Sequence, residues 1–297
     1  LSEFFQQLIN GLSLGAIYAL LALGYTMVYG VLRFINFAHS DVFMVGAFIG
    51  FYLAPYIPVG TMTGGLIALG ISMAGCAILG VVIERLVYRP LRNRSKLNVL
   101  ITAIGVSLLL ENLGQLWFGA NPKPFPALFP VKSIELGGGL ILSSNQLAVF
   151  IIAILLMGAL QFTVLKTRMG TAMRAVSFNP VAASLVGINI DVVISFTFAL
   201  GSALAAAGGI LYSLNYQRIE PLMGILPGLK AFVAAVLGGI GNIPGAALGG
   251  VLLGIVETFV RGSRWSTYTD AISFAILIMI LLFRPGGLLG TAQLEKV

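Results

Sequence analysis

The stretch Leu8–Asp41, LINGLSLGAIYALLALGYTMVYGVLRFINFAHSD, decides the fold. From Leu8 to Val31 it carries no Asp, Glu, Lys or Arg. A membrane-spanning helix needs about 20 mostly apolar residues, and this run supplies them. Arg33–Asp41 then interrupts the run with Arg33, Asn36, His39 and Asp41, and apolar residues resume at Val42. The whole chain shares this character: 58% of 297 residues are hydrophobic, 9% are charged, and the mean hydropathy is +1.01. Soluble domains carry about 25% charged residues, so lipid is the solvent that this composition fits. The 37 glycines agree, because spanning helices use small residues where backbones approach closely.

Outward from that stretch, the candidate spans are Leu8–Val31, Val42–Ile57, Gly64–Leu86, Val99–Phe118, Gln146–Leu165, Val192–Tyr216, Ala231–Ile240, Gly245–Val260 and Tyr268–Phe283. Two are short, and each follows a break, Arg33–Asp41 or Gln217–Lys230. Residues 119–145 form the longest non-apolar segment. The expected fold is an all-α integral membrane protein, a polytopic bundle of about 8–10 transmembrane helices with interrupted helices. The order of long span, break, short span and two further spans recurs from Val192, which suggests an inverted repeat. Breaks of this kind mark sites in transporters.

The net charge is +7 and the pI about 9.7, but the basic residues cluster beside apolar runs, which argues against nucleic acid as a partner. Nine spans put the amino end outside. Arg33, Arg85, Arg89, Arg92, Arg94, Lys96, Lys166, Arg168, Arg174, Arg284 and Lys296 then fall inside. Lys123, Lys132, Arg218, Lys230, Arg261 and Arg264 fall outside. The bias follows the positive-inside rule. A cysteine placed at Asn93 is accordingly expected to be shielded from the outside. No cleavable signal peptide is expected, since the first apolar run is too long and no basic segment precedes it. Cys76 is the only cysteine and reads as a core residue.

Enzyme-like strings carry little weight. Gly11-Leu12-Ser13-Leu14-Gly15 matches a nucleophile elbow, but it lies in an apolar helix where glycines four apart serve packing. His39-Ser40-Asp41 holds triad residue types as immediate neighbours, which do not converge on one proton path. One histidine and one cysteine make no metal site, and no nucleotide-binding string occurs. No cofactor, metal or enzymatic activity is expected.

Between Lys166 and Asp191 the residues describe a short isolated helix. Asn179 caps it, Pro180 suits its first turn, residues 181–186 continue it, and Gly187 closes it in a left-handed conformation. So short a helix needs something to pack against.

Ala182-Ala183-x-x-x-Gly187-Ile188 resembles the Ala-Ala-x-x-x-Gly motif of ABC importer permeases. Four further strings resemble the branched-chain amino acid permease family, and in particular the smaller of its two permease subunits. They are Tyr25–Gly30 (YTMVYG), Asn36–His39 (NFAH), Ile83–Pro90 (IERLVYRP) and Gly238–Ala246 (GGIGNIPGA). Arg284–Gly290 (RPGGLLG) resembles the family's C-terminal signature, and the likeness runs from about Leu8 to Val297. It implies one permease domain, 1–297, with a cytoplasmic coupling loop at 166–190 and a periplasmic loop at 119–145, in a bacterial inner membrane. The implied partners are cytoplasmic ABC ATPase subunits, a second homologous permease subunit and a periplasmic substrate-binding protein. Asn179, Pro180, Ala182, Ala183 and Gly187 are the expected coupling residues.

Two departures stand out. Ser40 occupies a position where the family usually has Gly, which implies a stiffer or differently shaped break. Val181 stands where an acidic or polar residue is common, so an acidic contact to the ATPase is not expected there.

Candidate pathway residues are Asn36, His39 and Asp41 in the first break, Glu111 and Gln115 on one face of a span, and Gly239, Gly241 and Asn242 in the glycine-rich turn. Buried polar groups at membrane depth are costly unless they face protein or water. Asp41 is also a candidate helix cap, and Gly238–Ala246 reads equally as a structural turn. Glu257 and Arg261, four apart, are expected to pair. The open readings of function are an ABC permease for branched-chain amino acids, one for urea, short amides or other amino acids, and an ion-coupled secondary transporter or channel.

Overall fold

The computed structural model describes residues 2–92 and 94–290. Asn93 and Lys296 lie outside the described residues. The helices are α1 (Ser2–Leu32), α2 (His39–Leu53), α3 (Met62–Ile83), α4 (Arg89–Leu91), α5 (Lys96–Phe118), α6 (Ser144–Lys166), α7 (Arg168–Phe178), α8 (Pro180–Leu185), α9 (Ile190–Tyr216), α10 (Ile225–Gly238), α11 (Ile243–Arg261) and α12 (Thr269–Phe283). A wider turn at Glu84–Tyr88 joins α3 to α4. Each of the nine expected spans falls on a helix. Among the described residues, seven helices are long and apolar enough to cross a membrane. The chain is an all-α polytopic membrane protein.

The two short spans are α2, with 15 residues, and α10, with 14. At 1.5 Å per residue each is about 20 Å long, short of a hydrocarbon core about 30 Å thick. They lie inside the bundle and touch one another: Gly224, just before α10, and Gly228 within it bring the backbone onto Ser40 of α2. The Ser40 hydroxyl donates to the Phe37 carbonyl at 3.0 Å, and its φ is not positive, so this position does not need the freedom of glycine.

The helix pairings exchange when the two units are swapped. α1 packs on α11, the third helix of the other unit, and α9 packs on α3, the third helix of the first. α1 also packs on α9, and the two run in opposite directions: Leu21 meets Gly208, whereas Gly24 meets Gly201. Each long helix ends on a non-glycine residue with positive φ, Arg33 at 56° and Gln217 at 52°. Close contact between α1 and α11 depends on Gly11 and Gly15. A Cβ on either would lie 2.8 Å from the Ile255 Cα or 2.7 Å from the Val251 Cα. The nucleophile-elbow string is thus a helix-packing face.

Burial orders the bundle. The most apolar window of α1 is 94% buried, against 17% for α5 and 11% for the last span. The α5–α6 connection carries β1 (Lys123–Pro124), β2 (Ser133–Gly137) and β3 (Leu140–Ser143). β2 and β3 form a hairpin, and β1 pairs antiparallel with β4 (Arg218–Ile219) just after α9. A Ser143/Gln146 capping box starts α6.

Candidate functional site

The short helix at residues 180–185 is built by local cap chemistry. The Asn179 side chain accepts from the Ala182 N–H at 3.0 Å, and Pro180 occupies the first helical position. Such a cap contributes about 1 kcal/mol. At the other end Gly187 has φ 85°, its N–H donates to the Ser184 carbonyl, and the Ile188 N–H reaches back to the Ala183 carbonyl at 3.1 Å. That six-to-one bond closes the helix at Leu185, one residue earlier than the expected end at Val186.

The loop also holds α7, a helix the apolar pattern did not reveal. Thr167 caps it through the Gly170 N–H at 3.1 Å, and Arg174 donates back to the Val164 carbonyl of α6. At the loop's far base Asp191 receives Arg89 and Arg92. Arg92 also reaches the fully buried Glu84, which accepts from the Ser195 hydroxyl at 2.6 Å.

The faces of α8 are opposite in character. Ala183 is 3% exposed and turned into the protein, where α8 packs on α7 and α9. Phe178, Val181, Leu185 and Val186 stand in the open, from 67% to 90% exposed. Four large apolar side chains on so short a segment form a surface that gains by being covered, at about 1.5–3 kcal/mol for each fully buried side chain.

The side chains of the first break are packed against neighbouring helices. Asn36 accepts from the Tyr88 hydroxyl at 2.6 Å. His39, 1% exposed, stacks edge-on against Tyr25 with ring centroids 4.8 Å apart. α2 begins at His39 after Ala38, which offers no side-chain cap, so the cap reading of Asp41 does not hold. The Asp41 carboxylate turns instead to α5 and accepts from the Ser107 hydroxyl at 2.5 Å. Glu111 and Gln115 lie half-buried one and two turns further along α5, and Asn112 satisfies its amide on the Leu108 carbonyl.

Gly239, Gly241 and Asn242 make the turn between α10 and α11. Gly239 and Gly241 have φ of 105° and 93°. Asn242 caps α11 through the Gly245 N–H at 3.0 Å and donates to the Leu289 carbonyl at 2.7 Å. The Leu288 and Leu289 N–H groups bond the Leu237 and Gly238 carbonyls, so the two glycine-rich strings are one knot.

The expected Glu257–Arg261 pair forms at 2.5 Å, but it belongs to a larger cluster. Lys230, counted among the charges on the outer side of the membrane, is buried in the bundle at 4% exposure. It lies 2.7 Å from Glu257 and 2.6 Å from Asp270. The Tyr18 hydroxyl donates to Glu257 at 2.9 Å. A lysine within the apolar run 225–238 was the available signal, because a charge at that depth requires a partner.

The family described as branched-chain amino acid transport system / permease component matches residues 7–281. The chain is 41% identical to the high-affinity branched-chain amino acid transport system permease protein BraD of Pseudomonas aeruginosa, over 99% of this chain and 98% of the relative. It is 42% identical to the permease protein LivH of the corresponding Escherichia coli K12 system, with the same coverage. A probable LivH of Methanocaldococcus jannaschii is 30% identical over 91% of this chain and 88% of its own length. No solved structure matches. The chain is a transport permease by class, and it belongs to the family of branched-chain amino acid transport permeases.

Proposed function

We propose that this chain is a permease subunit of an ATP-driven importer that carries branched-chain amino acids across a bacterial inner membrane. The observation that carries the reading is the apolar face of Phe178, Val181, Leu185 and Val186 on a rigidly capped loop. That face suits the groove of a cytoplasmic ABC ATPase, and the names of the relatives support the cargo. On this reading the 166–190 loop is cytoplasmic and the 119–145 connection periplasmic. The basic residues Arg33, Arg89, Arg92, Arg174 and Arg284 near the loop end fit the positive-inside rule.

ATP binding closes the ATPases and moves α8. The capped ends of α7 and α8, and the Asp191 ion pairs at the base of α9, transmit that motion to the long central helices. The path runs along α5, a span whose flank carries the half-buried Glu111 and Gln115 and the exposed Asn112. Polar groups there are costly in lipid, so this flank faces a second, homologous permease subunit and the water-filled path between the two. Asp41 joins it through Ser107. Asn36 and His39 hold the break in shape, and Gly239, Gly241 and Asn242 hold the α10–α11 turn. A periplasmic binding protein delivers cargo at the opposite end, and selectivity rests mostly with it.

The test is uptake by the reconstituted complex, with labelled leucine and labelled urea measured in parallel. ATP-dependent uptake of leucine is expected. Uptake of urea alone would overturn the cargo, and uptake independent of the ATPases would overturn the coupling.

A further inference from the structure

At the end of the bundle away from α8, a cavity of about 300 Å³ lies between α1, α6, α9 and α11. Its wall is mostly polar, with Gln7 and Asn10 from α1, Gln146 from α6, Asn215 and Tyr216 from α9, and Arg261 from α11. No Asp or Glu is among the described residues that line it. A side-chain amide can donate or accept, so what this wall offers a ligand depends on how each amide is already held.

Backbone groups settle the matter for Asn10. The Gln6 amide is clamped by Ile141: its Nε2 donates to the Ile141 carbonyl at 3.0 Å, and its Oε1 accepts from the Ile141 N–H at 3.0 Å. Gln146 is fixed in the same way, because its Oε1 accepts from the Ser143 N–H at 3.1 Å. Both side chains therefore present N–H groups to Asn10, whose Oδ1 receives them at 3.3 and 2.7 Å. The Asn10 carbonyl is spent, and its Nδ2 donors remain. The Tyr216 oxygen accepts from Arg261 at 2.9 Å, which leaves its own O–H to donate elsewhere. Arg261 can only donate, and a guanidinium has more donors than Tyr216 and Glu257 use. Its charge is matched by Glu257, so the wall selects by directed donors and not by net charge.

We infer that this cavity binds a molecule bearing a carboxylate or phosphate, with the oxyanion on Asn10 Nδ2, the Tyr216 hydroxyl and Arg261. Hydrogen bonds to an ionised acceptor are the strong ones, so an oxyanion gains more from these donors than a neutral solute does. Gln7 and Asn215 make no side-chain hydrogen bond among the described residues, and their amides meet a second polar group of the ligand. Gly262 leaves room for Gln7, since a Cβ there would lie 2.4 Å from its Nε2. The volume is several times the ~30 Å³ share of one water and more than a bare anion fills. This chemistry has two sources, a free amino acid or the headgroup of a phospholipid in the adjoining leaflet. An occupant ties the ends of α1, α9 and α11 together. The inference stands on the cavity alone and does not depend on the transported cargo.

The test places a cysteine in the wall, Thr258→Cys in a Cys76→Ala background, in the full chain held in maltoside micelles, which carry no phosphate. Ser263→Cys, exposed and outside the lining, is the reference. The rate of modification by a small thiol reagent is read alone and with L-leucine, isocaproate, isoamylamine or phosphatidylglycerol. Isocaproate is leucine without its ammonium group, and isoamylamine is leucine without its carboxylate. Protection of Thr258→Cys but not of Ser263→Cys by leucine or isocaproate assigns the free carboxylate. The same pattern with phosphatidylglycerol assigns the lipid. Asn10→Asp keeps an acceptor for Gln6 and Gln146 but turns the donor into a carboxylate oxygen, and should weaken protection about tenfold or more. Tyr216→Phe keeps the ring, removes the hydroxyl and should weaken protection about tenfold, so the outcome does not rest on how Asn10→Asp folds. Protection by isoamylamine equal to that by isocaproate overturns the oxyanion assignment. Absence of protection by every probe, or protection unchanged in both variants, overturns the site.

Discussion

Lys230 and Glu257 form a buried ion pair, 2.7 Å from Nζ to Oε1, between the short helix α10 and the third helix of the same unit. Asp270 and Arg261 extend it, and the Tyr18 hydroxyl ties it to α1. Removing one member of such a pair strands a charge, whereas removing both does not. Lys230→Met should therefore destabilise the protein by up to about 3–5 kcal/mol, reduced by the share of Glu257 that Arg261 still satisfies. Lys230→Met combined with Glu257→Gln should lose much less. Thermal unfolding of the purified chain in detergent reads both. Additive losses in the double variant would mean that the two groups do not act as a pair.

The ends of α1 and α9 make a second matched relationship, since Arg33 and Gln217 both adopt positive φ at the start of a break. The left-handed conformation costs an ordinary residue about 1–2 kcal/mol, and a β-branched residue more. Gln217→Gly should leave stability unchanged or raise it slightly. Gln217→Val should lower it by about 1–2 kcal/mol. Equal melting temperatures for the two variants would contradict the strained geometry.

The two faces of α8 predict opposite phenotypes. Leu185→Asp changes a side chain that is 83% exposed and should leave insertion and stability intact while abolishing ATPase co-purification and uptake. Ala183→Asp buries a charge against α7 and α9. It should destabilise the loop before any partner is involved, because Ala183 packs against the protein. Limited proteolysis separates the two: the loop of Ala183→Asp should be cut faster than wild type, and that of Leu185→Asp at the wild-type rate. Full transport by Leu185→Asp would remove α8 as the docking element.

What was legible in the sequence was what acts locally. Asn179, Pro180 and Gly187 specify their helix within nine residues, so cap and closure could be read directly. Glu257 and Arg261 are one turn apart, and their pair followed from helical spacing. Gly11 and Gly15 announced a close approach, although not to α11. Contacts made across the bundle were not legible. Asp41 and Ser107 are 66 residues apart, and nothing near Asp41 distinguishes a carboxylate that caps its own helix from one that reaches a neighbour. Lys230 sits beside a break, so it read as a loop charge until Glu257 and Asp270 surrounded it. α7 escaped because it has no long apolar run; its buried residues, Gly170, Met173 and Val176, recur at single-turn intervals amid polar ones. The inward turn of Ala183 depends on how α8 lies on α9, which no local pattern encodes.

Sidedness is the remaining expectation with a direct assay. Ser184 of α8 and Ser263 after α11 are both exposed, at opposite ends of the bundle. Cys76 is buried and donates only a weak 3.5 Å contact to the Val42 carbonyl, so Cys76→Ala gives a clean background. In intact cells an impermeant thiol reagent that reaches the periplasm should modify Ser263→Cys and leave Ser184→Cys untouched. After the cells are broken open, both should react. If the expected sidedness holds, a bilayer core about 30 Å thick lies between the two positions, and movement of α8 during transport does not carry Ser184 to the other side. Labelling of Ser184→Cys in intact cells would invert the chain, placing the basic cluster outside and leaving the apolar face of α8 on the side without ATP.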